Sequence, residues 1–433
     1  MPGLDRLQCV EDARDVARQR MPWTIFDFVD GAAGAGIAKR LNTRSLDRIR
    51  LQPRVLINVE QRRLGCGFLD RAWRLPFGIA PMGMCAVAWP GADRYLTAAA
   101  VRHDIPLCIS TAASISLEDA RRLAGEHAWF QLYVGQSHEA AFDLVRRAEA
   151  AGYEHLIFTV DTPEISRRPR ELRRGFKVPF KLGPKQVFDF ALHPRWSLST
   201  LLNGIPRIAN FEDRTGEPTE RGAGGSFNRS QSRGSADWTF LDRLRERWPA
   251  RLIVKGVLSP DDASRIKNAG ADAIYVSNHG GRQLDGAPPA IGMLPAIRQA
   301  VGESYPLIFD SGVRCGEGIV KALALGADFV MLGRPFLYAL GAAGEPGLAR
   351  IIDVLAEETD LTLAQIGCPD VENINSSVIA ADVATAYPVP ADFGGKRPED
   401  GPGLAAISAE QPTPGEPAPR EPTPREPTQR RMG

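Results

Sequence analysis

The chain has 433 residues, 43% of them apolar and 24% charged, a balance that allows a sizeable core and is ordinary for a soluble globular protein. Its 53 basic and 52 acidic side chains leave a net charge of +1, so there is no general attraction to nucleic acid, and partners have to be sought at particular sites. Six scattered cysteines, with no C-x-x-C pair and no metal-ligand spacing to histidine, exclude a disulfide framework and a metal centre and are expected to be reduced and intracellular.

The N-terminal stretch "MPGLDRLQCVEDARDVARQRMPW" lacks the apolar centre of a signal peptide, and no window is long and apolar enough to span a bilayer. A protein neither exported nor membrane-spanning is therefore expected. Residues 1–75 carry helical patterns expected to pack around the base or side of the main domain. From there the chain repeats a phrase: "AAGYEHLIFTVD" at 150–161, "NAGADAIYVSN" at 268–278 and "ALGADFVMLGR" at 324–334. Each is a helical pattern closing on glycine (Gly152, Gly270, Gly326), an acidic residue, and a short β-branched run, the signature of a helix feeding a strand buried on both faces. The strands read this way are 76–81, 106–111, 129–134, 156–161, 251–256, 273–278, 306–312 and 329–334. Amphipathic stretches lie between most of them, one opened by Ser259 as N-cap with Pro260 at the first helical position. Repetition at this scale suits a doubly wound sheet or a closed barrel. Eight strands without a G-x-G-x-x-G turn favour the α/β class in its (β/α)8 TIM-barrel form.

Residues 166–250 form a long insertion after the fourth strand, with a polar, glycine-rich centre expected to be a mobile loop or lid. From Ala391 the chain becomes "PTPGEPAPREPTPREPTQRRMG", a Pro-rich tail expected to be disordered, so the working domain is expected over residues 1–390.

In a TIM barrel the chemistry sits at the C-terminal ends of the strands. Those positions hold Gln131 and Tyr133, Thr159 and Asp161, Lys255, then Ser277, His279 and Arg282, then Asp310 and Arg314, and finally Gly333 and Arg334. On the last two strands, Arg314 and Arg334 supply charge for a phosphate dianion, and Gly312, Gly316 and Gly333 let backbone approach it, so a phosphorylated ligand is expected. "SNHGGRQLD" combines a base with a fork: His279 suits proton abstraction near neutrality with Asp161 to orient it, and Arg282 suits a carboxylate. Gly280 and Gly281 let both side chains face one cavity, which fits chemistry at the carbon α to an acid.

"SNHGGRQLD", "FQLYV", "TVDTP", "LIVKG", "DSGVRCGEGIVKALALGA" and "LGRP", in this order and spacing across residues 5–380, resemble the FMN-dependent α-hydroxy-acid dehydrogenase and oxidase family. "STAASISLED", "LHPRWSLSTLLNGIPRIANF" and "LAQIGCPD" are most similar to its mandelate-oxidising branch. The resemblance implies an FMN enzyme that oxidises an (S)-2-hydroxy acid to the 2-oxo acid and passes electrons to a quinone or membrane acceptor, or to oxygen. It implies that His279 is the base, paired with Asp161, while two electrons pass to flavin N5. Arg282 and Arg168 would hold the substrate carboxylate and Tyr133 would bond near its hydroxyl. Lys255 would lie beside flavin N1 and O2, where a cation favours the reduced cofactor. Pro81, Met82 and Gly83 would run along the flavin ring, Ser110, Gln131, Thr159 and Ser277 would contact it, and Asp310, Gly312, Arg314, Gly333 and Arg334 would hold the ribityl chain and phosphate.

Two positions depart from the family pattern. Phe28 stands where a tyrosine hydroxyl usually binds the substrate carboxylate, a loss of one charged hydrogen bond of about 1.5–3 kcal/mol. Ala112 stands where glycolate oxidase carries tryptophan; with Gly83 it widens the pocket for an aromatic acid. Lactate or glycolate oxidation, and an FMN barrel with a non-redox or peptide-modifying role, are the alternatives. Residues 178–211 mix Phe, Leu, Ile and Trp with Lys181, Lys185, Arg195 and Arg207; they are similar to the family's membrane-attachment segment and imply a peripheral contact at the inner face of the membrane. A lid packed on the barrel, or a subunit contact, is the other reading of this segment. The family resemblance also implies a homotetramer.

Overall fold

In the computed structural model the described residues are 4–135, 137–176, 183–204, 207–211 and 236–380. Ten strands occur among them: β1 (Cys66–Phe68), β2 (Arg71–Trp73), β3 (Phe77–Met82), β4 (Leu107–Ser110), β5 (Ala128–Leu132), β6 (His155–Thr159), β7 (Arg251–Val257), β8 (Ala273–Val276), β9 (Leu307–Phe309) and β10 (Phe329–Leu332). The last eight close into a parallel barrel in the order β10-β3-β4-β5-β6-β7-β8-β9, the (β/α)8 architecture the repeated phrase predicts. β4, β5, β6, β8, β9 and β10 are buried at every residue, which is why they read as unbroken apolar runs rather than alternations. Gly152, Gly270 and Gly326 all take positive φ at the helix ends where the phrase places them, and the Ser259 side chain accepts from Asp262 N at 3.2 Å, with Pro260 opening the helix.

Register decides what the barrel presents. Ser110 pairs with Gln131, Gln131 with Ile157, Thr159 with Lys255, and Lys255 with Tyr275. Side chains alternate along a strand, so Ser110, Gln131, Thr159, Lys255 and Ser277 all project to one side, the row climbing two residues at β6 and again at β8.

The helical expectation for residues 1–75 holds only in part. Helices Val10–Arg20, Trp23–Asp30 and Ile37–Arg48 form, but 66–73 is an antiparallel hairpin whose turn residues Leu69 and Asp70 both have positive φ. Two three-residue strands are too short to show a period. The hairpin closes the N-terminal end of the barrel: Phe68 stacks on Phe329 at 5.1 Å, and Trp73 meets Trp129 edge-on at 6.1 Å. Behind Trp129, His155 stacks at 4.6 Å, and burial pushes its pKa down to about 4.

Within the insertion, Pro169–Arg174, Pro184–Ala191, Pro194–Asn203 and Trp238–Arg247 are helices. The centre expected to be a mobile lid, except its last residues, and the Pro-rich tail lie outside the described residues.

Candidate active site

The C-terminal ends of β5 to β8 converge on His279. Its ring stands 3.0 Å from Asp161 Oδ1 through Nδ1, and its Nε2 lies 3.4 Å from the Tyr133 hydroxyl. His279 itself has φ 59°, a left-handed conformation uncommon outside glycine. The loop is fixed around it: Ser277 Oγ accepts from His279 N (3.0 Å), Ser311 Oγ from Gly280 N (3.1 Å), and Asn278 Oδ1 from Gly281 N (3.1 Å). Asn278 and Asn42 exchange two side-chain bonds of 2.7 Å, tying the loop to the Ile37–Arg48 helix. At Gly280 the φ of 62° favours glycine, and an added Cβ would lie 2.6 Å from Arg334 Nη1 and displace that guanidinium.

Electrostatics suit a base. Burial lowers the His279 pKa below the ordinary histidine value, and the Asp161 carboxylate offsets that only in part. Burial pushes Asp161 up, but the His279 and Lys255 charges and the His279 hydrogen bond outweigh it and hold it below the usual carboxylate range. The pair therefore keeps a carboxylate on Nδ1 and a lone pair on Nε2 at neutrality.

The polar row is bonded in two groups. Ser110 Oγ donates to Gln131 Oε1 (3.0 Å), and Gln131 Nε2 donates to Thr159 Oγ1 (2.9 Å). Lys255 Nζ donates to Ser277 Oγ (2.8 Å) and lies 3.3 Å from Asp310 Oδ2. Across from it, the end of β3 carries Pro81, Met82 and Gly83. A Cβ on Gly83 would stand 3.0 Å from the Ala112 methyl, and one on Gly333 3.4 Å from Met82 Sδ, so the two glycines keep this wall low.

Arg282 closes the other side. Its Nη1 donates to the carbonyls of Phe28 (2.9 Å) and Gly31 (3.1 Å), and its Nη2 to Glu171 Oε1 (3.1 Å). Arg168 approaches through the Arg282 carbonyl and Gln283 Oε1, each at 3.4 Å. Burial and the neighbouring Arg168 pull the Arg282 pKa down to about 10, which still leaves it charged at neutrality. Phe28 lies beneath, stacked on Phe176 at 4.5 Å with the Arg282 guanidinium 5.4 Å over its ring; a π face stands here in place of a hydroxyl.

At the far end Arg334 donates to the carbonyls of Val29, Gly280 and Gly31, and Arg314 to that of Val313. Gly312 at φ 104° packs its Cα against Asn42. Lys39 belongs to this group as well: burial first, then the charges of Arg334 and Arg314, lower its pKa to about 8.

The candidates thus lie at or beside the C-terminal ends of the barrel strands, and the set extends to Glu171, Asn42, Asn278, Gln283, Ser311 and Lys39. Gly316 is the exception: its N donates to Glu358 Oε2 at 2.7 Å and a Cβ there would stand 2.2 Å from Thr359 N, so its lack of a side chain serves close packing on the Arg334–Gln365 helix and not a phosphate. Asn278 and Gln283 sit inside the "SNHGGRQLD" motif; Asn42 carries no local signal because its partner Asn278 is 236 residues away, and Lys39, although it pairs with nearby Asp30, is brought beside Arg314 and Arg334 only by the fold. A row of polar side chains ending in a buried lysine, glycines that keep backbone bare, and clustered cations beyond fit a flat heteroaromatic ring with a phosphorylated tail. Among the described residues no cluster of metal-ligating side chains occurs.

Comparison with known proteins agrees. The family described as FMN-dependent dehydrogenase matches residues 17–381. The chain is 38% identical to (S)-mandelate dehydrogenase of Pseudomonas putida over 377 residues, 87% of this chain and 94% of that one. It is 35% identical to an L-lactate dehydrogenase of Pseudomonas syringae pv. syringae over 381 residues, 87% of this chain and all of that one. Among solved structures, the monotopic membrane protein (S)-mandelate dehydrogenase superposes with a TM-score of 0.82 at 38% identity, covering 86% of this chain and 99% of the other. A mandelate oxidase gives 0.73 at 33%, with 85% and 97% covered. The chain belongs to the FMN-dependent dehydrogenase family and is a flavoenzyme that oxidises 2-hydroxy acids.

Proposed function

We propose that the substrate is an aromatic (S)-2-hydroxy acid of the mandelate kind, converted to the 2-oxo acid. FMN, when bound, supplies the two-electron acceptor; Ser110, Gln131, Thr159, Ser277 and Lys255 would hold its ring, with Pro81, Met82 and Gly83 along it, and Asp310, Gly312, Arg314, Gly333 and Arg334 would hold its tail. His279 Nε2 takes the proton that leaves the substrate, and Asp161 stabilises the imidazolium that results. Tyr133, 3.4 Å from the same nitrogen, orients the substrate hydroxyl toward it. Arg282 and Arg168 hold the carboxylate and so fix which hydrogen faces the base.

The observation that carries the substrate class is the pair Gly83 and Ala112: a Cβ on Gly83 would stand 3.0 Å from the Ala112 methyl, so the two pack together and neither projects a bulky side chain into the site. A wall this bare suits a phenyl-bearing acid better than a wall carrying a large side chain would, and the relatives named for mandelate support it. Anaerobic titration with mandelate, lactate and glycolate tests the reading. Mandelate should bleach the flavin absorbance at the lowest concentration; bleaching by lactate alone would place the chain with the lactate dehydrogenases.

We further propose a peripheral membrane contact through residues 178–211, at the inner face of the membrane, with a quinone as electron acceptor in preference to oxygen, and a homotetramer as the assembly. Support comes from helices Pro184–Ala191 and Pro194–Asn203, which expose Val187, Phe188, Leu192, Leu198, Leu201 and Leu202 while Trp196 anchors beneath, its Nε1 donating to Val87 O at 3.1 Å. No helix among the described residues is long and apolar enough to cross a membrane. Turnover with a soluble quinone analogue set against turnover with oxygen tests the acceptor, and light scattering of detergent-free protein tests the assembly.

A further inference from the structure

Glu171 is a carboxylate in contact with the site and only 1% accessible, and the mechanism above leaves it without a role. It lies three residues beyond Arg168, on the helix Pro169–Arg174, so the two share a helix face. Its Oε1 accepts from Arg282 Nη2 at 3.1 Å and stands 3.7 Å from Arg168 Nη1, between the two guanidiniums. Beside it is Gly31, where a Cβ would come within 3.3 Å of the same oxygen; glycine there leaves the carboxylate the space it occupies. Arg282 is also held by the carbonyls of Phe28 and Gly31, so Glu171 completes a set of acceptors that fixes its plane.

The charge count gives this geometry a consequence. Among the described residues that meet at this point, two guanidiniums and one carboxylate sum to +1, and one substrate carboxylate brings the group to neutrality. Without Glu171 the sum is +2, and at separations of 3–4 Å in a poorly solvated site one unit of charge is a large effect. A second negative group on a ligand would overbalance the count and meet the Glu171 charge itself.

We propose that Glu171 is the positioning and specificity residue of the carboxylate clamp: it sets the orientation of Arg168 and Arg282 and limits the clamp to one monocarboxylate. This rests on the reading that those arginines hold the substrate carboxylate. A bound carboxylate is then gripped in one orientation, with its α-hydrogen toward His279, and other anions are refused.

The test uses FMN-loaded parent enzyme with Glu171→Gln and Glu171→Asp. Flavin absorbance is titrated with sulfate and with two unreactive ligands of equal shape, phenylacetate and phenylacetamide, and flavin reduction is followed at saturating mandelate. The Gln variant should bind sulfate about tenfold more tightly than the parent and reduce its flavin about tenfold more slowly, the range set by one charged hydrogen bond. The Asp variant, charged but one methylene shorter, should refuse sulfate as the parent does while still reducing slowly. Parental sulfate affinity and reduction rate in the Gln variant would overturn the proposal. So would equal gains in sulfate affinity for both variants, since a merely structural role does not distinguish a charge from a shape. If the Gln variant does not fold, the Asp variant decides alone, and a parental reduction rate in it overturns the idea. A parent that binds phenylacetamide as well as phenylacetate would instead refute the clamp reading beneath it.

Discussion

At the scale of single residues the proposed chemistry turns on how burial and one carboxylate compete over His279. Burial favours the neutral imidazole and Asp161 favours the charged one, with burial the stronger. The acid limb of kcat/KM should therefore have its midpoint below the ordinary histidine value near 6.5, activity falling as pH drops through it. Replacing Asp161 with Asn removes the one group that raises the histidine pKa. The limb should move to still lower pH, while kcat falls by about 10²-fold or more because the imidazolium loses its partner; a pH–rate series on the two proteins checks both. Phe28 gives a second residue-scale prediction. Its ring lies under the Arg282 guanidinium, so Phe28→Tyr would put a hydroxyl within the neighbourhood of the substrate carboxylate. KM should fall about tenfold with kcat within about threefold, as expected for one added hydrogen bond to a charge.

The element that organises the site is the short helix Trp23–Asp30, and both of its ends are held by distant side chains. Asp189, from the insertion, accepts from Trp23 N, Thr24 N and Thr24 Oγ1, each at 2.9 Å, and so caps the N-terminus. At the C-terminus the carbonyls of Phe28, Val29, Asp30 and Gly31 receive Arg282, Arg334 and Lys39, cations placed where the helix dipole favours them. The Asp30 side chain, 1% exposed, is bound to Arg14 (2.9 Å), Lys39 (2.9 Å), Arg170 (2.7 Å) and the Tyr338 hydroxyl (2.8 Å). Although burial opposes it, these partners hold the Asp30 pKa far below the usual carboxylate range. A depressed carboxylate contributes stability that is fully present above its unfolded pKa near 3.8 and is lost as pH falls below that. Asp30→Asn should cost about 3 kcal/mol at pH 7, read as a lower urea midpoint with unchanged slope, and the loss should shrink toward pH 3.

For the whole molecule, catalysis and the proposed membrane contact should be separable in the chain though joined through that helix. The exposed leucines of Pro194–Asn203 touch none of the site residues described, so Leu201→Asp with Leu202→Asp should abolish flotation with anionic liposomes. Turnover with a soluble acceptor should stay within about twofold, because the barrel end that carries the chemistry is unaltered. Loss of both together would place the segment in the active site itself.

The barrel was legible because strands buried on both faces read as short unbroken apolar runs, each announced by a helix-closing glycine. The polar groups of the site were legible for a related reason: this fold concentrates function where strands stop, so position along the chain stood in for position in space. What the residues by themselves determined was therefore the architecture and, through the resemblance to the family, the cofactor class; the side chains proposed to face the cofactor were named from the same motifs. Only the tertiary structure decided that 66–73 plugs the barrel as a hairpin, that Asp189 caps a helix more than 160 residues before it, and that Asn42 and Asn278 lock the catalytic loop. It alone put Glu171 between the two arginines. Most of these contacts join residues far apart in sequence through a few hydrogen bonds, and nothing in the local composition at either end marks its partner.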